Sequence, residues 1–203
     1  MKFLFTISRA IDALNERIGG TVLWLTLIVV LVSAGNAVTR KAFHMSSNAW
    51  LELQWYLFGA IFLLAAGYTY LRNEHVRVDV LAARFPARVQ VTIEALGIVF
   101  FLFPAAALIF WLSLPYFYES WRLQELSSNT GGLIRWPAKL LIPVGFGLLI
   151  LSGVSRLIKC VAFLVGKGPN PMITTQIKTA EEELAEEIQR QQEKRANGKV
   201  EGH

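Results

Sequence analysis

Four stretches of the chain, residues 18–39, 53–71, 95–118 and 140–155, contain no Asp, Glu, Lys, Arg or His. A charge at the centre of a bilayer helix costs roughly 2.5 to 3.5 kcal/mol on insertion scales, so sorting charge out of every long apolar run is what a hydrocarbon environment demands. About 20 residues at 1.5 Å per residue span a hydrocarbon core of roughly 30 Å. The pattern therefore predicts an all-α integral membrane protein with four transmembrane helices, at about 18–39, 53–71, 89–118 and 137–163. The fourth reaches full length only if Arg156 and Lys159 extend their long side chains to the headgroups. Pro104 removes a backbone hydrogen bond inside the third and predicts a kink there.

The flanks differ in character. Residues 1–17 repeat apolar positions at Phe3, Ile7, Ile11, Leu14 and Ile18 between Lys2, Arg9, Asp12, Glu16 and Arg17, the pattern of an amphipathic helix lying in the headgroup layer. The run that follows is too long for the core of a cleavable signal, so the first span is expected to stay attached. After Gly166, Gly168, Pro169 and Pro171 the chain turns to glutamate, glutamine and lysine with few apolar residues. Residues 167–203 thus read as a charged, solvated tail, leaving 18–166 as the four-helix membrane domain.

Basic residues set the expected orientation. Lys2, Arg9, Arg17, Arg72, Arg77, Arg84, Arg88, Arg156, Lys159 and Lys167 fall on one side, against Arg40, Lys41, Arg122, Arg135 and Lys139 on the other. The positive-inside rule then places both termini in the cytoplasm, and the positive membrane part suits anionic phospholipid. Trp50, Trp55, Tyr116, Tyr118, Trp121 and Trp136 gather at the opposite interface, as an aromatic belt does.

Composition, 54% hydrophobic against 17% charged, closes off a water-soluble domain. One cysteine, Cys160, allows neither an internal disulfide nor a dithiol pair. The three histidines lie outside the charge-free spans, where they cannot clamp a haem between helices, and no phosphate-binding, dinucleotide or zinc-protease motif is present. The chain reads as a non-enzyme with no cofactor and no nucleic-acid partner. A transporter acting alone should place charge or dense polarity at mid-membrane. The spans offer scattered hydroxyls, Asn36, and Gln54 near an end, which points to a supporting role with the solute path in another polypeptide.

Several polar groups remain as candidates for partner contact or a structural network. Asn36 and Arg40 are one helical turn apart, and Glu52 opens the second span, where it either pairs with Arg40 or complements its own helix N-terminus. Arg72, His75 and Asp79 follow that span; His75 and Asp79 are too few for a metal site and suit a local ion-pair network. Across the membrane, Ser127 to Gly132 are turn formers, and Arg135 and Trp136 lead into the fourth span as an interfacial anchor or a docking point for a periplasmic protein.

These residues in this order resemble the small, Q-type membrane subunit of tripartite ATP-independent periplasmic (TRAP) transporters. The likeness runs from about Ile18 to Gly166. It is carried by Asn36-Ala37-Val38-Thr39-Arg40-Lys41-Ala42-Phe43, Trp50-Leu51-Glu52-Leu53, Arg72 with His75-Val76-Arg77-Val78-Asp79-Val80-Leu81, Thr130-Gly131-Gly132-Leu133-Ile134-Arg135-Trp136-Pro137, and Pro143-Val144-Gly145-Phe146. The resemblance implies an inner-membrane complex with a large membrane subunit that couples transport to sodium, and a periplasmic solute-binding protein. In it this chain would serve as a noncatalytic scaffold, with organic acids, carboxylates or 2-oxo acids among them, as substrates. The competing readings are a self-sufficient four-helix transporter or channel working as a homo-oligomer, and an anchor for a membrane enzyme.

Overall fold

A computed structural model describes residues 2–44, 47–72 and 85–171. The segment 73–84, with His75 and Asp79, and the charged tail beyond Pro171 lie outside the described residues. The chain divides into two units, Met1–Met172 and Ile173–His203, and the described residues of the first form four long helices. They are α1 (Lys2–Phe43), α2 (Asn48–Arg72), α3 (Ala87–Arg122) and α4 (Trp136–Leu164), each long and apolar enough to cross a membrane. All four expected spans fall within them. The helices alternate in direction, so one end of the bundle carries Lys2 and Leu164, and the other Phe43, Asn48 and the 123–135 connection.

α4 is the centre of the bundle and packs against the other three helices, while α1 and α2 also pack on each other. Its sequence explains why. Lipid gives apolar side chains no reason to hide, so helices associate through small residues that let backbones approach. A Cβ on Gly145 would stand 2.7 Å from the Leu63 carbonyl oxygen of α2, and one on Gly153 2.8 Å from Leu102 and Phe103 of α3. The large apolar residues point outward instead: Trp24, Phe62, Phe101 and Trp111 are all more than two thirds exposed, as a lipid-facing surface requires.

The tightest crossing joins three helices. At Gly67 of α2 an added methyl would run into Asn15 Oδ1 and stand 3.1 Å from both the Leu148 carbonyl and Ser152 Oγ, while Ser152 Oγ donates 2.9 Å to the Gly67 carbonyl. Gly67→Ala is therefore expected to destabilise the bundle by about 1 to 3 kcal/mol, the usual cost of overpacking. Gly59→Ala, at a site with nothing within 4 Å, should be close to neutral. Thermal unfolding of both variants in detergent checks this.

Three expectations are corrected. First, residues 1–17 are not a separate helix: α1 runs unbroken through them. Its buried seam is Ser8, Ile11, Asn15, Val22 and Val29, whereas Phe3 and Leu14 of the apolar stripe are exposed. In lipid surroundings the polar and small face turns inward. Second, the distortion at Pro104 takes the form of a π-helical turn at Ile98–Leu102, where the Phe103 N–H bonds the Ile98 carbonyl. Proline cannot donate to the carbonyl four residues back and its ring would strike it. A wider turn just ahead relieves both problems and lets α3 continue. Third, Arg156 and Lys159 do not reach out to the headgroups. Arg156 is 4% exposed and pairs with Glu94 at 3.1 Å. Lys159 donates 2.7 Å to Asp12, whose other oxygen accepts from Ser155 Oγ at 2.5 Å.

Candidate functional site

The first two turns of α2 and the connection between α3 and α4 build one polar assembly at the loop end. Asn48, Glu52 and Tyr56 recur every four residues, so they share a helix face. All three bind the loop: Asn48 Nδ2 donates to the Thr130 carbonyl at 3.0 Å, and the Tyr56 hydroxyl to the Ile134 carbonyl at 3.2 Å. Glu52, 3% exposed, is the hub. One of its oxygens accepts from Ser127 Oγ and from Asn129 Nδ2 at 2.9 Å, the other from the Leu133 N–H at 2.6 Å.

The loop is shaped to fit that carboxylate. Leu126 and Ile134 pair as a single antiparallel bridge, with the Ser127 N–H bonding the Leu133 carbonyl at 3.0 Å and the Arg135 N–H the Glu125 carbonyl at 2.8 Å. Gly131 takes a positive φ of 72° to turn the chain, a conformation that favours glycine. Gly132 lets the loop backbone close on the carboxylate, because a Cβ there would stand 2.8 Å from Glu52 Oε1. At the base Glu125 contacts Lys139 and lies 3.6 Å from Arg135, and Lys139 Nζ sits 4.0 Å over the Tyr116 ring.

The Lys139 ammonium, hydrogen-bonded to Glu125, holds that carboxyl below its ordinary value of 4.5, and the Arg135 charge acts the same way. A carboxyl with a lowered native value stabilises the fold fully above the ordinary value and loses that contribution as pH falls through the native one. Amide exchange across 123–135, taken relative to the intrinsic rate at each pH, should therefore rise as the pH drops below about 4.5. Glu125→Gln should flatten that rise, checked by hydrogen–deuterium exchange over an acid series.

Of the residues singled out from sequence, only Glu52 and Arg135 join this assembly directly. Arg135 donates 3.1 Å to Ser128 Oγ, and Trp136 meets Phe117 edge-on at 6.5 Å, inside the α3–α4 contact. Asn36 is half-buried on α1 and Arg40 is exposed; of the two roles open to Glu52, the pairing with Arg40 is not the one found, and the loop donors take its place. Arg72 is at the other end, 3.5 Å from Glu16 and stacked 5.3 Å over Tyr68. His75 and Asp79 fall outside the described residues. Sequence reasoning missed Asn48, Tyr56, Glu125 and Lys139 as participants, and read Ser127 and Asn129 as turn formers rather than as donors to Glu52. One signal was available: a carboxylate at a membrane interface needs donors, and Ser127-Ser128-Asn129-Thr130 is the densest run of them nearby. Among the described residues no three His, Cys, Asp or Glu gather to hold a metal ion.

The family model for the DctQ component of tripartite ATP-independent periplasmic transporters matches residues 28–163, well over half of the chain. The chain belongs to the DctQ family. No curated protein and no solved structure matches it. As a DctQ subunit it is the small membrane component of a TRAP transporter, a multi-pass protein in a system whose other parts are a large membrane subunit and a solute-binding protein. The matched region contains the whole Glu52 assembly, while Ser8, Asp12 and Asn15 of the inward seam precede it.

Proposed function

We propose that this DctQ subunit is a noncatalytic scaffold of the inner membrane, with both termini cytoplasmic. On this reading it braces a sodium-coupled large subunit that carries organic acids, carboxylates or 2-oxo acids, and its loop end helps dock the periplasmic binding protein. Trp136 and Arg135 contribute by holding the base of the loop.

One observation carries the scaffold reading: the carboxylates inside the bundle are already engaged by this chain's own donors. Glu94 meets Arg156, Asp12 meets Lys159 and Ser155, and Glu52 meets the loop. A group that binds and releases a travelling ion or solute must be available to it. Four hydroxyls within the spans are likewise committed: Thr26, Thr69 and Ser113 donate to carbonyls of their own helices, and Ser152 to Gly67. The supporting role therefore rests on neutralised rather than missing charge.

Proteoliposome uptake tests it. With a sodium gradient, the binding protein and a labelled organic acid, vesicles holding both membrane subunits should accumulate solute, and vesicles holding this chain alone should not. Gradient-driven accumulation by the small chain alone would overturn the scaffold reading in favour of a homo-oligomeric transporter.

A further inference from the structure

α1 presents opposite surfaces of opposite character. At 100° per residue, the face directly across from the buried seam of Ser8, Ile11, Asn15 and Val22 holds Arg9, Ala13, Arg17, Gly20 and Trp24. All five are exposed. The acidic residues that could neutralise the two arginines along the helix are turned elsewhere. Asp12 is taken by Lys159 and Ser155, and Glu16 faces Arg72. Two cations thus stand on the outer surface, and among the described residues neither has an ion-pair partner.

Their depth is informative. Arg17 is the last charged residue before the charge-free stretch 18–39, so the pair sits at the boundary between hydrocarbon and headgroups. Arg9 and Arg17 lie on one helix face about 12 Å apart along the axis, with the small Ala13 between them. Immediately beyond, Gly20 leaves an open notch with nothing within 4 Å of where its Cβ would be, and Trp24, 68% exposed, closes the far side. Guanidinium forks bind phosphate oxygens bidentately, and a notch beside an aromatic ring accepts an acyl chain.

We propose that this face of α1 is a binding site for an anionic phospholipid of the phosphatidylglycerol class, with its phosphate between Arg9 and Arg17 and an acyl chain along Gly20 and Trp24. The headgroup is chosen by charge: a lipid with no net charge brings its own ammonium into competition with the arginines. Each basic residue near an anionic lipid surface contributes about fivefold to binding, so the pair should favour the anionic lipid by roughly twentyfold to thirtyfold.

Native mass spectrometry of the full-length chain in detergent, with equal amounts of phosphatidylglycerol and phosphatidylethanolamine, reads this directly. Preferential phosphatidylglycerol adducts are expected, falling to the phosphatidylethanolamine level in Arg9→Gln/Arg17→Gln. Arg9→Lys/Arg17→Lys, which keeps both charges, should retain most of the preference, and Arg40→Gln/Lys41→Gln at the other end all of it. Circular dichroism confirms that the variants remain helical. Equal adducts of the two lipids, or a preference that survives Arg9→Gln/Arg17→Gln, would overturn the site. So would displacement of the lipid by millimolar inorganic phosphate, which would mark a free-anion site. Loss of co-purification with the large subunit while the lipid preference is unchanged would also refute it, by showing that this face meets protein. None of these outcomes depends on whether the subunit is a scaffold, which the uptake experiment decides.

Discussion

Replacing Glu52 with alanine is expected to free the 127–133 loop while leaving the four helices in the membrane. The substitution strips the acceptor from three donors at once: the Ser127 hydroxyl, the Asn129 amide and the Leu133 N–H. Hydrogen bonds to a charged group are the stronger kind, and a donor left without an acceptor loses more than the bond was worth. The loop retains the Leu126–Ile134 bridge and the Glu125 contacts, so it should loosen at its tip rather than unfold. Exchange of the Leu133 and neighbouring amides should quicken by roughly tenfold to a hundredfold. Glu52→Gln keeps the volume but turns an NH2 towards one set of donors, so it should recover only part of the protection. Arg40→Ala, altering an exposed side chain, should leave loop exchange unchanged. If the loop end docks the binding protein, a loosened tip must be ordered on binding, and uptake with limiting binding protein should fall about tenfold. Unchanged exchange in Glu52→Ala would refute the hub role. Unchanged uptake alongside faster exchange would instead separate the loop from docking.

The four spans were legible because a bilayer excludes charge regardless of tertiary detail, and 18–39, 53–71, 95–118 and 140–155 meet that demand by themselves. What failed was the assignment of charges to neighbours. Arg156 and Lys159 lie just past the end of an apolar run, a position that reads as headgroup contact. Only the packing of α3 and α1 on α4 brings up Glu94 and Asp12, which lie 62 and 147 positions away. For Glu52 the sequence offers Arg40 or its own helix N-terminus, both close by along the chain, whereas its donors come from a loop 75 to 81 positions further on. Residues 1–17 were misread for a different reason. An apolar stripe faces the interior of a protein in water, but beside lipid it need not, and the repeat that begins at Phe3 lies alongside the buried seam, sharing Ile11 with it while Phe3 and Leu14 face out. At Pro104 the sequence located the irregularity, while the π turn that resolves it draws on the preceding residues, Ile98 to Leu102.

Arg156→Met is expected to be among the most damaging single substitutions in the bundle. The Arg156 side chain is 5% exposed and that of Glu94 12%, so the substitution takes the cation away from a nearly buried carboxylate between α3 and α4. Breaking a buried ion pair from one side costs about 3 to 5 kcal/mol. The location adds to the effect. α4 supplies the main packing surface for α3, and one turn before Arg156 the Gly153 contact seats Leu102 and Phe103 of the π turn. A perturbation at Arg156 therefore falls beside a close contact of the two helices. The unfolding midpoint in detergent should drop by roughly 10 °C. Glu94→Gln/Arg156→Met removes both charges and should recover part of that loss, because a buried pair replaced on both sides by neutral groups of similar volume is often close to neutral. Lys159→Met offers the internal comparison: its side chain is 32% exposed and that of its partner Asp12 20%, so water screens the survivor and the drop should be smaller. An Arg156→Met midpoint within 2 °C of the parent, roughly the shift expected from less than 1 kcal/mol, would mean that the Glu94–Arg156 pair does not fasten α3 to α4.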